Sequence, residues 1–298
     1  MLKEMKIPQI DTVPGDIGMP LSSTSAIPGQ TLHSISAGEG SPTILVHGLA
    51  ASLHDWEVLL PELASYSYQA FAVDLFGHGD SPKPELPELY TISTVIETFE
   101  AWIEKLVLDS PLMLVGHSLG GHVCLQYSLR HPERIKCMVL IDPFFRPTQL
   151  SPVLRLFNKR PRVGVKALQT VPLSLIDTVL GWDPVNAAQY SPQARWRIAY
   201  YCKRASPNIL NIPSTIPDLT ADLHRIDIPC LIIWGSKDFT LKPDTFNDLV
   251  AQLPKAAGHE INDCGHHPHI RKPVLVNRII LDFLNSHRQQ SLPAASDQ

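Results

Sequence analysis

The sequence has few cysteines, and their spacing is not that of a metal site or a disulfide framework. Its five cysteines are widely separated, contain no C-x-x-C pair and are odd in number, whereas zinc sites and disulfide-rich folds show paired spacings. His266, His267 and His269 lie close together, but neighbouring loop histidines seldom converge on one ion without further ligands. We therefore expect reduced thiols, mostly in the core, and no metal site.

Long apolar runs and a strong charge of either sign are also missing. No stretch approaches the ~20 apolar residues that cross a bilayer, and the lysines within Met1 to Ile10 are not followed by an apolar segment. We therefore expect a cytoplasmic protein without an integral membrane segment. The net charge of -4 over 298 residues gives no field that would attract DNA or RNA, so no nucleic-acid partner is expected.

Short apolar runs alternate with longer amphipathic stretches along most of the chain. The short runs are rich in Val, Ile and Leu and predict strands buried on both faces of a parallel sheet, over Thr43–Val46, Ala70–Val73, Leu112–Val115, Cys137–Ile141 and Cys230–Trp234. Helical spacing of apolar residues predicts crossover helices over Trp56–Tyr66, Ile92–Leu108, Leu119–Arg130, Pro243–Leu253 and Pro273–Phe283. The predicted fold class is α/β.

This alternation breaks after Asp142. Residues 143–222 contain ten prolines, and ten Lys or Arg against four Asp or Glu. We predict a mostly helical cap over 143–222, inserted in a core of residues 1–142 and 223–298 and lying over the strand ends. Its excess positive charge has three readings: a solvated face, a preference for anionic substrates, or a weak contact with a membrane surface. Its aromatic residues predict an apolar wall over the site, or else fill the cap's own core: Phe144, Phe145, Phe157, Trp182, Tyr190, Trp196, Tyr200 and Tyr201.

Ser118 stands in a G-x-S-x-G pattern between a predicted strand and a predicted helix. Gly116 and Gly120 occupy the two positions where side chains would crowd a sharp strand-to-helix turn. A serine hydroxyl needs a base and an orienting carboxylate before it becomes a nucleophile. The alternative role for Ser118 is to cap the helix.

His266 and Asp238 are the predicted base and carboxylate, because each lies on a loop after a late strand. Asp142, at the end of an earlier strand, is a rival to Asp238 for the acid. His267 and His269 are interpreted as solvated surface residues. The order serine, aspartate, histidine is the one that such an arrangement requires.

Two backbone amides are predicted to stabilise an oxyanion: that of Leu119, after the nucleophile, and that of Leu49, on an early strand-end loop. In the same loop, His47 is interpreted as a buried brace. The segment DLFGHGDS at 74–81 is interpreted as a structural turn.

These segments together resemble the α/β-hydrolase superfamily. The matching stretches are HGLAAS at 47–52, DLFGHGDS at 74–81, VGHSLGG at 115–121, WGSKD at 234–238 and CGHHPHIRKP at 264–273. The resemblance implies an eight-stranded, mostly parallel sheet with a helical cap inserted after the sixth strand. It also implies catalysis without a cofactor.

Within the superfamily, Ser118 disfavours haloalkane dehalogenases and epoxide hydrolases, which use an aspartate at this position. The expected function is an esterase or lipase-like hydrolase acting on a small-molecule ester with a hydrophobic acyl or alcohol part. C-C bond or thioester hydrolysis on the same triad remains an alternative. So does a non-catalytic small-molecule receptor, since fold does not determine function. The oligomeric state is left open.

Overall fold

The computed structural model describes residues 23–24, 31–108, 110–176 and 191–288, and its centre is a seven-stranded sheet. A separate antiparallel pair, β1 (Ser23–Thr24) and β2 (Thr31–Leu32), precedes it. The strands of the main sheet are β3 (Ser34–Ala37), β4 (Ser41–Val46), β5 (Tyr68–Val73), β6 (Leu112–His117), β7 (Ile135–Ile141), β8 (Cys230–Gly235) and β9 (Ala256–Ile261). Their order is β3-β5-β4-β6-β7-β8-β9. Only β3 runs antiparallel to its neighbour.

All five predicted strands are present, and the mostly parallel α/β sheet is confirmed. The sheet has seven strands within the described residues rather than the eight that were expected. β3 and β9 have no long apolar run, because both lie at an edge where neighbours cover them on one side only. Edge position therefore hid these two strands from a search for buried runs.

Helices cover both faces of the sheet, as parallel crossovers require. They are α1 (Leu59–Ser65), α2 (Ile92–Lys105), α3 (Leu119–Arg130), α4 (Pro152–Asn158), α5 (Pro161–Thr170), α6 (Pro192–Arg204), α7 (Asp244–Gln252), α8 (Pro268–Arg271) and α9 (Pro273–Arg288). Two groups of buried apolar side chains result, one on each face. The first includes Val46 and Phe99, and the second includes Val115 and Ile280.

The segment between β7 and β8 divides into an outer and an inner part. Helix α5 has no buried residue and α6 buries only Ala199. By contrast, Ile209 and Ile212, on the 3-10 helix Pro207–Thr215, are fully buried in the main core. The helices that stand outside the core therefore lie before Ala205. A cap over the whole of 143–222 stays a prediction.

The predicted aromatic wall is present only in part. Phe144 and Phe145 are buried in the main core, and Trp196 is 37% exposed. Tyr200 stacks on Trp196 at 5.1 Å. Trp182, Tyr190 and the side chain of Phe157 lie outside the described residues. Phe144 and Phe145 therefore belong to the main core, and form neither the predicted wall nor a separate core of the cap.

All five cysteines are free thiols, and four of them are buried, as expected. Among the described residues, no helix combines the length and the apolar character needed to cross a membrane.

Candidate active site

Ser118 lies at a sharp turn between β6 and α3, with an unusual backbone conformation. Its φ is 51° and its ψ is -112°, a backbone conformation that residues other than glycine rarely adopt. A Cβ at Gly116 would lie 2.6 Å from the Gly120 carbonyl oxygen, and one at Gly120 would lie 2.2 Å from that of Val46. The two glycines are thus required by close packing. Ser118 makes no side-chain cap hydrogen bond to α3, so its hydroxyl serves another partner.

That partner is His266. Nε2 of His266 lies 2.9 Å from Oγ of Ser118, and its Nδ1 lies 2.7 Å from Oδ2 of Asp238. The histidine side chain is 11% exposed and the aspartate side chain is fully buried. The Asp238 carboxylate accepts a hydrogen bond from Nδ1–H of His266, so Nε2 of His266 carries the lone pair that can accept the serine proton. The structure therefore brings together the three residues that the sequence indicated for nucleophile, base and acid.

Asp238 is held by its own loop, after β8. Its Oδ1 accepts the backbone N–H groups of Thr240 and Leu241 at 2.7 and 3.0 Å. Asp142, the rival acid, is fully buried and accepts the N–H of Gly235 at 3.0 Å. Burial raises the pKa of Asp142 well above its usual range, and the neighbouring Asp238 carboxylate raises it further. Both effects favour the protonated form of Asp142.

The loop after β4 meets the start of α3 at the nucleophile. A Cβ on Gly48 would lie 3.2 Å from Cβ of Ser118, so the loop that carries Leu49 borders the serine directly. Leu119 is the first residue of α3, so its N–H has no carbonyl partner within the helix. The amides of Leu49 and Leu119 are thus both on segments that adjoin Ser118.

Residues 42–273 match the family model described as the alpha/beta hydrolase fold. The chain belongs to the α/β-hydrolase family.

Relatives of this α/β-hydrolase have different activities in their names. It is 24% identical to bifunctional epoxide hydrolase 2 of Rattus norvegicus, over 88% of this chain and 55% of the relative, and so spans about half of that protein. It is 27% identical to the alpha/beta hydrolase domain-containing protein VTE7 of Arabidopsis thaliana, over 82% of this chain and 74% of the relative. It is 25% identical to the (lyso)-N-acylphosphatidylethanolamine lipase of Homo sapiens, over 83% of this chain and 80% of the relative.

Solved structures share the fold at low identity. A thermophilic esterase from Thermogutta terrifontis superposes with a TM-score of 0.77 at 21% identity, covering 91% of this chain and 100% of that one. A putative aryl esterase from Burkholderia cenocepacia superposes with a TM-score of 0.74 at 24% identity, covering 90% of this chain and 99% of that one. These likenesses support the fold of the α/β-hydrolase.

Two further segments of this hydrolase brace the loops around the site. His47 is buried, with its Nδ1–H donating to the Gly48 carbonyl at 2.7 Å and its Nε2 accepting the Leu75 N–H at 3.0 Å. It ties the loop after β4 to the loop after β5. The carboxylate of Asp74 accepts the N–H groups of Leu53 and Asp80, both at 2.8 Å. Both residues have the structural roles that the sequence indicated.

The environment of His269 differs from the one expected from the sequence. A solvated surface residue was expected, but His269 is only 4% exposed and its ring stacks on that of Trp56 at 4.9 Å. His267 is also partly buried. The burial of His269 was not detectable from residue spacing, because Trp56, whose ring covers it, lies more than 200 positions earlier in the chain. Asp55, beside Trp56, was missed for the same reason.

A small cavity borders the site. It measures about 140 Å³ and is lined mainly by apolar groups, among them Leu49, Ile198 and Tyr201. A larger surface groove of about 740 Å³ is lined by Tyr90, Arg162 and other residues, and none of its lining residues belongs to the Ser118–His266–Asp238 group. The smaller cavity fits a short apolar group next to the Leu49 amide.

Proposed function

We propose that this α/β-hydrolase is a serine esterase that cleaves carboxylic esters with a hydrophobic acyl or alcohol part through an acyl-enzyme. A continuous hydrogen-bonded chain, from the Ser118 hydroxyl through His266 to Asp238, supports this function above all. Such a chain lets a neutral hydroxyl become a nucleophile near pH 7.

In the first half-reaction, Oγ of Ser118 bonds to the ester carbonyl carbon while its proton passes to Nε2 of His266. Asp238 stabilises the resulting imidazolium across 2.7 Å. The negative charge that develops on the carbonyl oxygen is stabilised by the amides of Leu49 and Leu119. His266 then gives its proton to the leaving alcohol, and the acyl group remains on Ser118.

In the second half-reaction, water attacks the acyl-enzyme with His266 again as the base. The proton returns through His266 to Ser118, the carboxylic acid leaves, and the free serine is restored. None of these steps needs a redox or metal cofactor, because the charge is carried by groups of the chain itself.

The cavity beside Leu49 supports an apolar substrate group. At about 140 Å³ it is smaller than a site for a drug-sized ligand, so it favours a short chain on the side of the ester that enters it. The epoxide hydrolase relative does not favour epoxide cleavage here, because this chain has Ser118 where those enzymes use an aspartate. The names of the esterase and lipase relatives agree with acyl transfer.

The outer helices provide a surface for an anionic membrane. From Pro152 to Thr170 there are five Lys or Arg residues and no Asp or Glu, and Leu154 and Val163 are 36% and 52% exposed. Each cation near an anionic leaflet contributes about 1 kcal/mol at moderate salt. Hydrolysis of long-chain esters should rise with phosphatidylserine vesicles and fall again with salt. An equal response to phosphatidylcholine vesicles would remove this role.

Replacement of the nucleophile tests the main proposal. Ser118→Ala should abolish both the hydrolysis of p-nitrophenyl butyrate and the labelling by a fluorophosphonate. Ser128→Ala is the matched control. This serine lies on α3, the helix that follows Ser118, and its hydroxyl donates to the Cys124 carbonyl at 2.8 Å. Both hydrolysis and labelling should remain in this variant. Labelling of Ser118→Ala would contradict the proposal.

The alternatives give different results with the wild-type protein. A receptor would release intact ligand and show at most one turnover per site, whereas an esterase shows many. A C-C or thioester hydrolase would prefer a vinylogous diketone or an acyl thioester to every ester in a panel from acetate to palmitate. Preference for an ester, with many turnovers, is the expected outcome.

A further inference from the structure

Three metal-ligating side chains meet next to the catalytic histidine, although they lie far apart in the sequence. Asp55 lies on the 3-10 turn Leu53–Trp56, His117 ends β6, and His269 lies on α8. One ligand atom from each lies within 4.8 Å of those of the other two. The rings of His117 and His269 are 4.6 Å apart. None of the three belongs to the proposed triad.

Their polar atoms are buried without partners. Oδ2 of Asp55, Nδ1 of His117 and both ring nitrogens of His269 have no hydrogen-bond partner among the described residues. His117 and His269 are 1% and 4% exposed. Buried polar atoms are almost always satisfied in folded proteins, so three side chains that each bring one unsatisfied atom within 4.8 Å of the others indicate a ligand.

The proton positions favour a cation as that ligand. Nε2–H of His117 donates to the His266 carbonyl at 2.7 Å, so Nδ1 carries a lone pair. A histidine that donates its other N–H to a carbonyl is the usual arrangement in metal sites.

Gly48 borders the lone pair of His117. A Cβ on Gly48 would lie only 2.8 Å from Nδ1 of His117, so a larger residue would crowd this atom. Zn²⁺ binds nitrogen and carboxylate oxygen at about 2.0–2.2 Å, which places tetrahedral ligand atoms about 3.4 Å apart. Zinc binding would therefore draw the three ligand atoms, which lie within 4.8 Å of one another, to about that spacing.

Two similar clusters do not qualify. In the group His33, Asp74 and Asp80, the Asp74 carboxylate already accepts His33 at 3.0 Å as well as two backbone amides. In the group His117, Asp142 and His266, both ring nitrogens of His266 are taken by Asp238 and Ser118.

We propose that Asp55, His117 and His269 bind one divalent transition-metal ion, with Zn²⁺ the best suited. Two imidazoles and one carboxylate form a ligand set that proteins use for zinc. The ion adds positive charge close to His266, whose ring lies 4.9 Å from that of His117. Since His266 must become an imidazolium during hydrolysis, the bound ion lowers turnover while it stabilises the fold.

The metal content is the primary test. Tag-free protein is stripped with a chelator, equilibrated with Zn²⁺, dialysed and analysed for zinc. The wild type should retain one equivalent per chain, and Asp55→Asn and His269→Gln should retain none. His224→Gln replaces an exposed histidine and is the matched control, which should keep the full equivalent. Mg²⁺, which prefers oxygen ligands, should not be retained.

Stability and turnover are independent readouts on the wild type. Zn²⁺ at about a hundredfold above its Kd should raise the Tm by about 5 °C and lower kcat severalfold without changing KM. The Tm shift stands even if the proposed esterase activity is absent. Without retained zinc and a Tm shift, the proposal fails and the cluster is satisfied by water and a proton on Asp55. Equal retention by folded Asp55→Asn and His269→Gln would also overturn it, because the zinc would then be bound elsewhere.

Discussion

The two buried carboxylates beside His266 should respond very differently to the same substitution. In Asp238→Asn the side chain no longer carries the charge that stabilises the imidazolium, and the partner of Nδ1 at 2.7 Å is changed. Loss of such a carboxylate costs about 10⁴-fold in kcat, which equals about 5 kcal/mol of barrier. Burial and Asp238 raise the pKa of Asp142 well above its usual range, which favours the uncharged form of this side chain. Asparagine has the shape of that uncharged form and keeps an acceptor for the Gly235 N–H.

We therefore expect Asp142→Asn to keep kcat within about threefold of wild type, less than about 0.7 kcal/mol. The assay is kcat for p-nitrophenyl butyrate at pH 7, with thermal unfolding of each variant to show that it is folded. The double variant should be no slower than Asp238→Asn alone. If a folded Asp142→Asn loses as much activity as Asp238→Asn, the assignment of the acid is wrong.

Three other predictions concern stability and substrate preference. The pKa of Asp74 is about 2 instead of 3.8: burial raises it, but hydrogen bonds from His33 and from backbone amides outweigh burial. A depressed pKa stabilises the fold above about pH 4, so Asp74→Asn should cost about 2 kcal/mol at pH 7 in urea unfolding, and this difference should vanish as the pH falls from 4 to 2. Gly79→Ala should lower the free energy of unfolding by more than 1 kcal/mol, since the φ of Gly79 is +46° and a Cβ there would lie 2.0 Å from the Asp74 carboxylate. Gly164→Ala is the control. The nearest neighbour of a Cβ at Gly164 is a leucine side chain at 3.2 Å, so the free energy of unfolding should change by no more than about 1 kcal/mol. Tyr201→Ala opens the small cavity and should raise kcat/KM for octanoate relative to butyrate about tenfold, whereas Trp196→Ala, at an exposed position, should leave that ratio unchanged.

The parts of the molecule that the sequence predicted are those with a local signal. The five buried strands have continuous apolar runs, and α3 was predicted with its observed bounds, Leu119–Arg130. The turn at Ser118 was recognisable because both the glycines and the adjoining strand and helix lie within a few positions. His266 and Asp238 were recognisable as loop residues after late strands, and the structure brings them within hydrogen-bond distance.

Other features depend on contacts that no local pattern encodes. The burial of His269 depends on Trp56, which stacks on it from the loop after β4. The raised pKa of Asp142 depends on its burial and on its closeness to Asp238, and Asp142 and Asp238 follow two neighbouring strands. The edge strand β9 has the sequence AAGHEI, which lacks a buried run because most of its residues are exposed or half-buried. In each case the missing information is the identity of a distant neighbour.

The order of the strands has a consequence for the synthesis of the chain. From β6 onward the sheet grows outward in sequence order, through β7 and β8 to β9 at the edge. The Ser118–His266 hydrogen bond joins residues 148 positions apart, and the histidine follows the edge strand. Domains fold as units while the chain emerges from its N-terminus. Because the domain folds as a unit, the Ser118 hydroxyl and His266 come together only after the segment that follows the edge strand β9 has been synthesised.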